Sequence, residues 1–186
     1  MSQFEYVSVA VALIYALVVG RLLTGLAVGL ERGRRYPIHA AWVGALLLVC
    51  VAQWWTIWRT RDIEWSALRF LWILIPPSLM YVRAIVLVGL EPLRIESYRD
   101  RFFERRAAFF ALLFCDVLAL GLGPWVLGIV PWLSVAPVHP GAAGLAVLSI
   151  AGLVFSSPAV HAGIVGVIFL LASWNLFLLS PLPSAA

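Results

Sequence analysis

Apolar residues run along this chain in long blocks, and polar residues gather in the short gaps between them. Six blocks stand out, at residues 4–30, 38–58, 65–90, 107–133, 141–155 and 158–179. A helix needs about 20 apolar residues to cross a bilayer. All blocks but the fifth are long enough, so the pattern predicts an all-α polytopic membrane protein. It would be a bundle of about six transmembrane helices forming one domain over residues 1–186. The fifth block is short and could be re-entrant. Ser156-Ser157-Pro158 is a polar break suited to a hairpin between the last two blocks.

The stretch "PLRIESYRDRFFERRAA" fits none of the blocks. Ile95, Tyr98, Phe102 and Phe109 fall at helical spacing among charges, and Pro92 suits a helix start. Residues 92–106 are therefore expected to form an amphipathic interfacial helix on the cytoplasmic surface.

Composition supports the membrane reading. The chain is 63% hydrophobic and 12% charged, with a mean hydropathy of +1.01, against about 45–50% apolar in soluble domains. The net charge of +4 does not point to nucleic acid, because the arginines flank apolar spans. Arg32, Arg34, Arg35, Arg94, Arg99, Arg101, Arg105 and Arg106 fall on one side, while Arg59 and Arg61, with Arg69 just inside a span, fall on the other. The positive-inside rule then puts both termini outside the cytoplasm of a bacterial inner membrane. "MSQFEYVSVA" carries an acid and no basic n-region, so it reads as part of a retained first span. Of the nine tryptophans, Trp42, Trp54, Trp55, Trp58, Trp65, Trp125 and Trp132 sit near span ends, as in an aromatic belt.

Three charges lie deep within spans. Arg21 is ten residues before Glu31, Arg83 eight before Glu91, and Asp116 ten after Arg106. At about 1.5 Å per residue, all three sit roughly 12–15 Å from the arginine-rich side. A lone charge at mid-helix costs about 2.5–3.5 kcal/mol on insertion scales. Asp116 is thus expected to pair with Arg21 or Arg83, leaving a surplus positive charge able to attract an anion. Gln53, Asn175, Tyr81 and Thr24, with Tyr15 and Ser149, are candidates to line a polar cavity around it. Gly25 and Gly29 form a GxxxG face on the first span, fit for internal packing or dimerisation. Pro76-Pro77 should interrupt the third span's hydrogen-bond ladder.

The chain has no lysine, so a Schiff-base cofactor is excluded. HExxH, GxSxG and Walker A patterns are absent, and no second deep acid sits near Asp116 to form a catalytic dyad. Cys50 and Cys115 lie inside spans without metal spacing and read as small core hydrophobes. His39 and His161 share the cytoplasmic end but make a weak metal or quinone pair, so no metal or cofactor is expected. The first functional expectation is a small transporter or channel for a small or anionic solute, built around Arg21, Arg83 and Asp116. The alternative is a non-enzymatic accessory or scaffold subunit of a larger membrane complex. A third is a lipid-binding or lipid-modifying protein. Expected partners are the lipid bilayer and either further copies of the chain or other membrane subunits.

Overall fold

A computed structural model describes residues 2–31, 36–130 and 140–179. Six helices order the described residues: α1 (Gln3–Gly29), α2 (Pro37–Thr56), α3 (Ala67–Val88), α4 (Tyr98–Val126), α5 (Pro140–Val154) and α6 (Pro158–Leu179). There is no strand among them. Five of the helices are long and apolar enough to cross a membrane, and α5 is a shorter apolar one. Large side chains such as Leu13, Leu17, Leu71, Phe169 and Leu170 point outward. Water would not tolerate that surface, and hydrocarbon does.

Helix starts follow local capping chemistry. Ser2 Oγ accepts from the Glu5 backbone N–H at 3.2 Å, and Glu5 accepts in return from the Ser2 N–H at 2.8 Å, a full capping box. Ser66 and Ser97 cap α3 and α4 by accepting from the Arg69 and Asp100 N–H groups, each at 3.3 Å. Pro37 opens α2, where its missing donor costs nothing. α3 ends at Gly89, whose φ of 91° suits a residue without Cβ.

The helices alternate in direction. Gly29 at the end of α1 meets His39 near the start of α2 and Tyr98 at the start of α4. Val88 at the end of α3 packs on Gly25. Phe155, just past α5, accepts a hydrogen bond from Arg106 in α4, and His161 in α6 packs on Phe102 and Phe110. These contacts gather at one end, called here the basic end. α1, α2, α3 and α4 surround a shared core, with α5 laid along α4 and α6 along α2. Trp42 stands edge-on to Phe109 and Phe110 at centroid distances of 4.9 and 5.4 Å. It is fully buried, so it belongs to the core and not to an aromatic belt.

Several details differ from expectation. α5 runs along α4 to the basic end, and α6 leaves from there. Its 15 residues span about 22 Å at 1.5 Å each, short of a hydrocarbon core of about 30 Å. No separate interfacial helix covers 92–106. Residues Pro92–Arg94 form a 3₁₀ turn, and α4 begins at Tyr98 and continues through Arg106 without a break. Tyr98, Phe102 and Phe109 do turn inward, so the amphipathic pattern is real, but it belongs to the first turns of a 29-residue span. Pro76 and Pro77 do not interrupt α3, which is helical from Ala67 to Val88 with both prolines buried. Prolines inside a span are tolerated where neighbouring helices pack around them. Cys50 is buried as expected, but Cys115 faces outward.

Candidate functional site

Two of the three deep charges, Arg83 and Asp116, meet in one closed network. Arg83 Nη2 donates to Asp116 Oδ2 at 3.0 Å. The same carboxylate oxygen accepts from Gln53 Nε2 at 3.1 Å, and Gln53 Oε1 accepts from the Tyr15 hydroxyl at 3.1 Å. Arg83 Nη2 also points at the Met80 sulfur, 2.9 Å away. Tyr15, Gln53, Arg83 and Asp116 come from α1, α2, α3 and α4 respectively, so every helix of the central four contributes one polar group.

Helix direction explains the meeting of Arg83 and Asp116. Cα–Cβ bonds tilt toward a helix N-terminus. α3 starts at the end opposite the basic one, so Arg83 leans inward, toward the bundle centre. α4 starts at the basic end, so Asp116 leans back toward it. The two side chains therefore converge from different heights. Water has no access to the result: Arg83 is 0% and Asp116 2% exposed. Asp116 Oδ1 and Arg83 Nε and Nη1 are buried without a hydrogen-bond partner among the described residues.

Arg21 does not join. Its Nη1 donates to the carbonyl oxygens of Gly89 and Leu90, at 3.4 and 3.0 Å. A helix C-terminus leaves its last carbonyls unpaired and carries partial negative charge, so a cation is favoured there. The depth of Arg21 matches that of the pair, but its face does not. The stripe Val7, Val11, Tyr15, Val18, Leu22 turns into the core, and Arg21 lies beside that stripe in the seam between α1 and α3. The pair is consequently one-to-one, without the expected surplus positive charge.

The other expected cavity residues separate in the same way. Gln53 is in the network. Thr24 and Asn175 are exposed and bond carbonyls of their own helices, Gly20 at 2.9 Å and Leu171 at 3.0 Å. Tyr81 is half-buried and packs against the core, and Ser149 bonds Leu145 in its own helix. Gly25 serves internal packing, since a Cβ there would overlap the methyls of Val88. Tyr15 was one hydroxyl among several in the sequence, and Met80 carried no signal beyond lying three residues from Arg83.

The basic end owes part of its arginine content to the same capping chemistry. Arg101 Nη2 donates to Ile85 and Val86 carbonyls at 3.5 and 3.4 Å, and Arg106 Nη1 to the Phe155 carbonyl at 2.6 Å. With Arg21, three arginines close the C-terminal ends of α3 and α5. His39 stacks on Tyr98 at 4.1 Å and His161 on Phe110 at 5.3 Å, so each sits in its own aromatic packing. No group of three or more His, Cys, Asp or Glu that could hold a metal occurs among the described residues. No protein-family model, curated protein or solved structure matches the chain.

Proposed function

We propose that this chain is a non-enzymatic subunit of a membrane complex, with Tyr15–Gln53–Asp116–Arg83 acting as an internal lock for its four central helices. The observation that supports this reading is the closure of the pair. A solute site needs a path for water or solute, and Arg83 has no surface that water can reach. A buried pair matched one-to-one suits register and helix choice better than solute capture. The basic end is the cytoplasmic one in this reading, and the N-terminus lies outside the cytoplasm of a bacterial inner membrane.

Native mass spectrometry on protein extracted gently from its host membrane tests the proposal. A reproducible complex with a different membrane protein is expected. A chain found only alone or with copies of itself overturns the subunit reading.

One observation favours a second reading, a transporter or channel seen in a closed state. Asp116 Oδ1 and Arg83 Nε and Nη1 are left without partners, and buried polar atoms usually have them. Water entering in an open state would supply those partners. Water access at Cys50, buried one turn from Gln53, separates the two readings.

A further inference from the structure

The arginines at the basic end are not equivalent. Arg94 pairs with Glu91 and Arg105 with Glu104. From Glu91 to Arg106 the sequence sets five arginines against four acids, a surplus of only one. That segment is nearly balanced and makes a poor anion surface. Arg21 is different. Among the described residues no carboxylate pairs with it, and its bonds are the two carbonyl contacts through Nη1. Nε and Nη2 remain free to donate.

Its place along α1 is also specific. α1 has 27 residues and so measures about 40 Å, about 10 Å more than a hydrocarbon core. Arg21 lies eight residues before Gly29, or about 12 Å from the helix end. A centred α1 puts its Cα about 7 Å inside the hydrocarbon at the basic end. Its side chain extends outward to Gly89 and Leu90, toward headgroup level. An arginine at that depth is stabilised by reaching the interface and an anion there.

The surroundings fit a lipid better than a soluble anion. Leu90 and Leu93 are 69% and 68% exposed beside the guanidinium's contact point. Leu30 projects outward at the end of α1. Aliphatic side chains in this setting suit acyl chains, and a cationic notch between helices on the cytoplasmic side suits a phosphate headgroup.

We infer that the seam between α1 and α3 at the basic end, built on Arg21 with Leu90 and Leu93 beside it, binds the headgroup of an anionic phospholipid. Arg21 then has two tasks: one edge of the guanidinium caps α3, and the other holds a phosphate.

The test is native mass spectrometry of delipidated full-length protein titrated with phosphatidylglycerol or phosphatidylcholine of matched acyl chains. Wild type should bind phosphatidylglycerol about fivefold better, the scale set by one arginine near an anionic headgroup. Arg21→Gln should erase that preference, Arg21→Lys should keep it, and Arg61→Gln at the opposite end should leave it unchanged. Leu90→Glu places a carboxylate at the notch without removing the cap, and it too should erase the preference. This second variant decides the matter if Arg21→Gln does not fold. Equal binding of the two lipids by wild type, or a preference that survives in Leu90→Glu, overturns the inference.

Discussion

Removing one partner of the Arg83–Asp116 pair should damage the protein more than removing both. Asp116→Leu leaves a guanidinium buried with no anion. Arg83→Met leaves a carboxylate buried with only Gln53 to donate to it. Breaking a fully buried pair in this way costs about 3–5 kcal/mol. That is a large part of a total stability of about 5–15 kcal/mol. The double variant Arg83→Met/Asp116→Leu carries no charge; Met is close to Arg in volume, while Leu is larger than Asp and adds a packing strain of about 1–3 kcal/mol. Its other defect is Gln53 Nε2, which loses its acceptor at a cost of about 1–3 kcal/mol. Independent losses would sum to about 6–10 kcal/mol, so the double variant separates coupling from simple damage. Reversible unfolding in mixed micelles, with increasing mole fraction of a denaturing detergent, gives all three values. The double variant should be more stable than either single one. If its loss equals the sum of the single losses, the two residues are not partners in the folded protein.

Three further outcomes follow from the packing. Gly25→Ala should destabilise by about 1–3 kcal/mol through overpacking on Val88, and Val88→Ala in the same chain should recover part of the loss in the same unfolding assay. Tyr15→Phe should cost about 0.5–1.5 kcal/mol, because Gln53 Oε1 loses its donor while the ring still fills its place; no change would remove Tyr15 from the network. Arg106→Ala should loosen α5 at its C-terminal end by about 1 kcal/mol, read as faster amide exchange near Leu153 and Val154 with α1 to α3 unchanged.

The span order was legible because hydrocarbon imposes a length on each helix, and apolar blocks show that length directly. Depth was legible to within about one helical turn, since the rise is fixed: counting residues put Arg83 and Asp116 near one level, and their side chains bridge the difference in height. Azimuth was not. α1 is apolar all round, so no polar face reveals which side turns inward. Arg21 therefore shared a depth with the pair, yet faces the α3 seam. Thr24 and Asn175 were misplaced for the same reason. The junction at residue 106 failed differently. Arg105-Arg106-Ala107-Ala108 holds only good helix formers, so nothing stops α4 from running through, although polarity changes sharply there. Pro76-Pro77 misled because proline breaks helices in water more than between packed spans.

Cys50 offers the most direct test of the closed core. It is 2% exposed and sits one helical turn from Gln53 on the buried face of α2. With Cys115 replaced by alanine, it is the sole thiol in the chain. A small polar thiol reagent applied to intact membranes should leave Cys50 unlabelled, and the same reagent should label it fully once the protein is denatured. Labelling of Cys50 in the folded protein would mean that water reaches the Tyr15–Gln53–Asp116–Arg83 network. That result would contradict the lock and turn the site into a transport pathway.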